Sequence, residues 1–254
     1  MFRRTRGIME TSKEALERNI DAFNADVDRY GGYEYTAVDR WSTQYASGRQ
    51  ADALIDLVAR HFPPSVRIVD IGCGDGAFTI KLAERFGPTA IRGVEPAAKA
   101  VEAARRRIPE NLLDTVSFEV GDIYDFANKG EDVALARGVM HHLDRPEAAI
   151  AHLAKQFKSV VILEPNGYNP VLKLIEKVSP YHQQHDEKSY FPWKLNRWFR
   201  AQGLTVVEQN YFLLVPYFCP TRIAKLLSRV EPAFESLPLI RQICCGTNLV
   251  LYRS

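Results

Sequence analysis

The sequence predicts an α/β fold, a doubly wound and mostly parallel sheet of seven strands with helices on both faces. Three observations carry this. From Val66 onward, short runs rich in β-branched residues alternate with segments of helical period, the rhythm of strand-helix-strand units. Several of those runs show no polar alternation, as expected of strands covered on both faces. The first ends in "DIGCGDGA", three glycines within five positions, and an apolar run with helical spacing follows at once. Such a turn lets a ligand approach bare backbone at the carboxyl end of a strand, where open α/β sheets bind ligands.

Taken in order, the elements begin with Thr11 and Glu14, which have capping-box spacing. Leu16, Ile20, Phe23, Val27 and Tyr30 then fall on one helical face, and Gly31-Gly32 stops that helix. The aromatic segment "YEYTAVDRWSTQYASG" has no clean period and reads as an ordered loop, with a second helix over Ala51–His61 stopped by Pro63-Pro64. Strands follow at Val66–Ile71, Ala90–Val94, Val116–Val120, Asp132–Ala136 and Val160–Leu163. Helices over Ala77–Phe86, Ala97–Arg107 and Pro146–Phe157 alternate with them. After Glu164 the rhythm breaks into a long polar and aromatic connection, of the length that is often functional. A helix over Pro192–Gln202 and strands at Thr205–Leu214 and Thr247–Tyr252 complete the set. The division this implies is a helical cap and cofactor lid over 1–64 and a core over 65–254, with insertions at about 165–190 and 215–243.

Composition narrows the class. The 254 residues are 46% hydrophobic and 25% charged with a net charge of +2, an ordinary globular balance without the basic field that nucleic acid demands. Cys73, Cys219, Cys244 and Cys245 form no CxxC or His/Cys zinc pattern and read as reduced thiols of a cytoplasmic protein. The basic "MFRRTRGIME" is followed by no apolar stretch of signal-peptide type, and "YFLLVPYFC" is too short to span a bilayer.

The glycine turn admits two ligand classes. Gly72 to Ala77 fits GxGxxA, and Glu95 stands near the position that binds a ribose hydroxyl in dinucleotide sites. Asp70 immediately before the turn and Asp75 within it argue otherwise, because carboxylates repel a pyrophosphate and attract a sulfonium or ammonium. Asp122, ending the third strand in "VGDIYDF", can accept from an exocyclic adenine amine.

On these residues the sequence resembles the class I S-adenosylmethionine-dependent methyltransferases. "VDIGCGDG", "GVEP", "VGDIYDF", "ALARGVMHHLDRPEAAI" and "VVILEPNGYNP" resemble the family's successive motifs. "GGYEYTAVDRWSTQYASGRQ" and "SPYHQQHDEKSYFP" resemble one bacterial branch of it. The resemblance implies a Rossmann-like fold with an antiparallel last strand and S-adenosyl-L-methionine as cofactor. It also implies roles: Gly72 and Gly74 for backbone approach, Asp70 for the amino-acid end, and Glu95 with Pro96 for the ribose. Asp122 and Ile123 would take the adenine, and the backbone of Arg137 and Gly138 the methionine ammonium, with the Arg137 side chain left to a salt bridge or an acceptor carboxylate. Of the aromatic residues Tyr33, Tyr35, Trp41 and Tyr45, Tyr35 is the expected cap on the cofactor.

Candidates for catalysis are His141 and His142 after the fourth strand, Glu164 at the end of the fifth, and His182 and His185 in the insertion. One of the two histidines can instead support the loop, and Glu164 can instead bond Asn166 or a backbone amide of its own turn. No metal-ligand spacing is present, and no metal is expected. Ile223, Leu226, Leu227 and Val230 recur at helical spacing beside Arg222, Lys225 and Arg229. Such a helix packs on its own core, on a second subunit, or on a membrane. The expected partner is a small-molecule acceptor, lipid-like acceptors included, and not nucleic acid, with the chain a monomer or homodimer. Two rivals remain at this level: a nicotinamide-dependent oxidoreductase and a non-catalytic cofactor-binding module.

Overall fold

A computed structural model describes residues 20–33, 39–87, 89–178 and 188–254. Seven strands form one sheet: β1 (Ile68–Ile71), β2 (Ile91–Glu95), β3 (Val116–Val120), β4 (Val133–Arg137), β5 (Ser159–Pro165), β6 (Thr205–Phe212) and β7 (Thr247–Arg253). Their order is β3-β2-β1-β4-β5-β7-β6. Neighbours from β3 through β5 pair in parallel, and β7 runs antiparallel to both β5 and β6. Around the sheet lie α1 (20–30), α2 (Trp41–His61), α3 (Ala77–Phe86), α4 (Ala98–Arg107), α5 (Pro146–Gln156), α6 (Pro170–Val178), α7 (Pro192–Ala201), α8 (Thr221–Ser236) and α9 (Pro238–Cys244).

The period-2 alternation of strand side chains divides the core into two layers. Ile68, Leu135, Val161 and Leu251 face one side and pack with Leu54 and Leu57 of α2 and Leu82 of α3. Val69, Ala134, Ile162 and Val250 face the other and pack with Ile150 of α5 and Leu195 of α7. Burial on both faces explains the continuous apolar runs in sequence. Tyr252 fills the second layer, its ring stacked on Phe199 at 3.8 Å and its hydroxyl donating to Asn196 Oδ1 at 2.7 Å. Strand order reverses at β1, which lies between β2 and β4, so a crevice opens at the carboxyl ends of β1 and β4.

The sequence reading departs from the structure in three places. The aromatic segment expected as a loop is helical from Trp41, as the first turns of α2. Its inward residues are Ser42, Thr43, Ala46 and Gln50, so polarity hides the period. Ser42 and Thr43 donate to the carbonyl of Tyr217 at 2.7 and 3.0 Å, and Gln50 donates to Thr247 Oγ1 at 3.0 Å. The connection after Glu164 contains α6, and the excursion between β6 and β7 contains α9 as well as the expected α8. All four cysteines are free thiols.

Candidate active site

The glycine turn links β1 to α3 with Gly72, Gly74 and Gly76 at φ of +68°, +57° and +77°. Glycine is required at Gly74 for two reasons: its left-handed backbone, and a Cβ there would stand 2.5 Å from the Tyr33 ring. Asp70 is buried at the end of β1 and its carboxylate accepts from Thr79 Oγ1 at 2.6 Å. Burial pushes the Asp70 carboxyl up to about 6, against the Thr79 bond and the nearby charge of Arg137. Glu95 ends β2, and its two oxygens accept from the amides of Gly74 and Ala97, both at 3.0 Å. Burial raises it to about 7 against those two amides and the Tyr33 side chain. Pro96 follows at the half-buried start of the next turn. Asp122 sits half-buried after β3, with Ile123 buried behind it, and its carboxylate accepts from the amide of Tyr124 at 3.1 Å. Burial raises the Asp122 carboxyl too.

Asp75 does not contribute to this field as its sequence position suggests. Its Oδ2 lies 2.6 Å from Arg107 Nη1 and accepts the amide of Tyr33 at 3.2 Å, so its charge is matched by α4 within the protein. Only Asp70 supports the sequence-level distinction between sulfonium and pyrophosphate.

At the neighbouring strand ends the central group is Glu164, 1% exposed. Its Oε1 accepts from the amides of Val139 at 2.9 Å and Met140 at 2.8 Å. Its Oε2 accepts from the amide of His141 at 3.2 Å and lies 2.8 Å from His141 Nδ1. One carboxylate thus holds the short 3-10 turn Met140–His142, satisfying amides that would otherwise be buried without partners. The His142 ring lies tilted by 40° against that of His141, centroids 4.0 Å apart, and meets Phe23 of α1 edge-on at 5.5 Å. Phe23 in turn packs on Tyr33 at 4.9 Å. The Gly138 amide, at φ +69°, donates to Leu163 O at 2.7 Å, tying the end of β4 to β5. Arg137 ends β4 half-buried with its guanidinium 4.9 Å from the centre of the Phe78 ring. Among the described residues no carboxylate forms a salt bridge with it.

The fold therefore brings Asp70, Gly72, Gly74, Glu95, Pro96, Asp122, Ile123, Arg137, Gly138, His141, His142 and Glu164 to one edge of the sheet. Tyr35, His182 and His185 lie outside the described residues. Trp41 and Tyr45 stack on each other at 4.9 Å, and Tyr45 donates to Glu231 of α8, away from the glycine turn. Tyr33 is the described aromatic residue that covers Gly74, and Phe23 joins it. Sequence offered Tyr33 only as one member of an aromatic cluster. Among the described residues no group of three or more His, Cys, Asp or Glu side chains is positioned to hold a metal ion.

The residues at this edge suit S-adenosylmethionine: a carboxylate and open glycine backbone for a cationic end, an acid at the end of β2 for vicinal hydroxyls, and an acid with an apolar neighbour after β3 for a purine. Comparison with known proteins agrees. The family model described as methyltransferase domain matches residues 43–209. Trans-aconitate 2-methyltransferase of Acidovorax is 30% identical over 190 residues, 72% of this chain and 69% of that protein. An uncharacterized methyltransferase of Schizosaccharomyces pombe is 26% identical over 144 residues, and the match spans 54% of this chain and half of that protein. The crystal structure of magnesium protoporphyrin IX methyltransferase from Synechocystis with bound S-adenosylhomocysteine superposes with a TM-score of 0.64 at 15% identity. That match covers 99% of this chain and 100% of that one. Nothing in these likenesses favours an oxidoreductase, and the chain belongs to the methyltransferase-domain family, as a class I S-adenosylmethionine-dependent methyltransferase.

Proposed function

We propose that this enzyme methylates a small molecule that carries an anionic group, with the cofactor held along β1, β2 and β3 and the acceptor at the ends of β4 and β5. The observation that carries the reading is Glu95, whose carboxylate is fixed by the amides of Gly74 and Ala97 at the mouth of the glycine turn. In this reading Glu95 takes both ribose hydroxyls, with Pro96 beside them. Asp70 and the backbone of Gly72 and Gly74 receive the amino-acid end, Asp122 and Ile123 the adenine, and the backbone at Arg137 and Gly138 the ammonium. The segment 1–64 serves as cap and lid, with Tyr33 and Phe23 as the described part of its contact and Tyr35 as a further candidate.

The bound cofactor supplies an activated methyl on sulfur, so the protein's own work is alignment and exclusion of water. Glu164 is a positioning residue, because its lone pairs are engaged by the Val139 to His141 amides and His141. His142 is the nearer candidate for contact with acceptor, and His182 and His185 remain candidates from the insertion. Arg137 supports the anionic acceptor, being a half-buried cation at a strand end, near Asp70 but in no described salt bridge. Trans-aconitate and magnesium protoporphyrin IX, named for two of the similar methyltransferases, are small-molecule acceptors. The net charge of +2 supports neither an RNA nor a DNA acceptor. We place the enzyme in the cytoplasm, as a monomer or homodimer.

Calorimetric titration with S-adenosylhomocysteine tests the cofactor half. Wild-type protein binds, and Glu95→Ala binds ~1–3 kcal/mol more weakly, the cost of leaving polar partners unpaired. Unchanged affinity in Glu95→Ala would remove it from the ribose. Incubation with methyl-labelled cofactor and fractionated extract identifies the acceptor.

A further inference from the structure

The helices between β6 and β7 turn apolar residues outward. On α8 only Leu227 of the stripe readable in sequence packs against the core: Ile223 is 52% exposed, Leu226 61%, and Val230 is exposed as well. At 100° per residue, the inward direction of α8 carries Ala224, Glu231 and Glu235 instead. Glu231 is buried and accepts from the amides of Leu214 at 2.8 Å and Val215 at 3.3 Å, from Tyr45 Oη at 2.8 Å and from Arg49 Nε at 3.1 Å. Glu235 accepts from Arg49 Nη2 at 2.7 Å and from the amide of Leu213 at 2.9 Å. These two acids set the rotation of the helix, so the outward stripe is built in. It continues through Leu237 and α9, where Leu239 is 74% exposed, Ile240 and Ile243 are exposed, and no residue is buried.

Charge selects the occupant of this face. From Thr221 to Cys244 the only acids are Glu231 and Glu235, and both point inward. The outward charges on α8, those of Arg222, Lys225 and Arg229, are all positive and lie along one side of the apolar stripe, Lys225 with its ammonium 5.8 Å from the centre of the Trp41 ring. A second copy docked across a two-fold axis would set like charges against each other, whereas an anionic surface would match them. Among the described residues no helix is long and apolar enough to cross a membrane. Apolar residues bordered by basic ones are the pattern of a helix lying in a membrane interface. We propose that the outward face of α8 and α9 docks this enzyme on an anionic membrane surface.

Docking there would bring the bilayer to the acceptor side. The loop after β5 is tied to the end of α9, Asn166 Nδ2 donating to Gln242 O and Cys245 O at 2.8 Å and Asn169 Nδ2 to Cys244 O at 2.8 Å. The proposal rests on the surface alone and not on the identity of the acceptor.

Co-sedimentation of the full-length protein with vesicles tests it, using phosphatidylcholine with and without phosphatidylglycerol. S-adenosylhomocysteine binding is measured on every sample as a check on the fold. The protein binds phosphatidylglycerol vesicles, binds phosphatidylcholine alone weakly, and is released by added salt. Arg222→Gln lowers vesicle affinity about fivefold, the ratio that corresponds to ~1 kcal/mol per charge near an anionic surface. Leu226→Ser combined with Leu239→Ser abolishes vesicle binding and leaves S-adenosylhomocysteine binding intact. No vesicle binding by protein that still binds S-adenosylhomocysteine overturns the proposal. So does a dimer, measured by light scattering, that the Leu226→Ser, Leu239→Ser variant dissociates while vesicles bind neither form. Absence of S-adenosylhomocysteine binding in wild type would count against the cofactor assignments and leave the vesicle result standing.

Discussion

At the carboxyl edge of the sheet, the β1 to β3 half and the β4 to β5 half are built by different means. The first presents backbone amides and carboxylates that those amides hold: Glu95 on Gly74 and Ala97, Asp122 on Tyr124. The second presents one turn held by a single carboxylate, Glu164, and continues into helices whose apolar residues face outward. The half proposed for the cofactor is thus built from strand ends and the turns that follow them, with Glu95 of β2 reaching back to the Gly74 amide in the turn after β1. The acceptor half is completed by residues far apart in sequence, and there the chain has freedom to change what it presents.

The most severe way to break this contrast is at the seam. Glu164→Ala strands the Val139, Met140 and His141 amides and the His141 ring in a buried site. With ~1–3 kcal/mol for each buried donor left unpaired, the variant is expected to lose at least ~3 kcal/mol in urea denaturation. A loss below ~1 kcal/mol would mean that water or a neighbour replaces the carboxylate, and the seam would not depend on it.

Titration sharpens the contrast with a smaller effect. Glu95 is raised to about 7 by burial in the unliganded protein. Being an acid raised above its ordinary value, it contributes stability that is present below the usual carboxylate range and lost as pH rises through about 7. Ribose hydroxyls need the ionised form as acceptor, so S-adenosylhomocysteine affinity moves the opposite way. It is expected to rise about tenfold between about pH 6 and about pH 8, the ratio of ionised fractions for a group titrating at the midpoint. Calorimetry in buffers of different ionisation enthalpy should register the released proton, and Glu95→Gln should abolish the dependence. A flat profile in wild type would place the ionisation elsewhere.

The smallest expected effect is at His142. Its ring meets His141 and, in the lid, Phe23, and it touches the proposed cofactor site through that lid residue alone among the contacts described. His142→Ala is expected to leave S-adenosylhomocysteine affinity unchanged by calorimetry while lowering turnover of the acceptor. A variant that no longer binds S-adenosylhomocysteine would move His142 into the cofactor half.

The same contrast governs what could be read from sequence. The glycine turn, Asp70, Glu95 and Asp122 are legible because each requirement is local: a positive φ, a strand end, a fixed interval between strand and acid. Every strand and the helices between β1 and β5 were legible for the same reason, since their periods are apolar. The first turns of α2 were not. Their inward positions are Ser42, Thr43 and Gln50, polar residues satisfied by Tyr217 and Thr247, which arrive much later in the chain. Asp75 was misread because its partner, Arg107, belongs to another helix. Glu164 gave two local readings, and only the pairing of β4 with β5 brings it under the 3-10 turn. The rotation of α8 was hidden for a similar reason: buried acids, which a hydropathy pattern assigns to solvent, occupy its inward face.

The excursion that carries α8 and α9 leaves and re-enters the sheet at a single point. Leu213, at φ +70°, accepts from the amide of Gly246 at 2.7 Å, and the next pair of residues outward, Phe212 and Thr247, is already in register. A neck of this kind lets the segment behind it lengthen or shorten without shifting the β6-β7 ladder, but not freely: Tyr217 and Glu231 fasten it to α2, and Gln242 and Cys244 to the loop after β5, so any recast version must keep those four attachments.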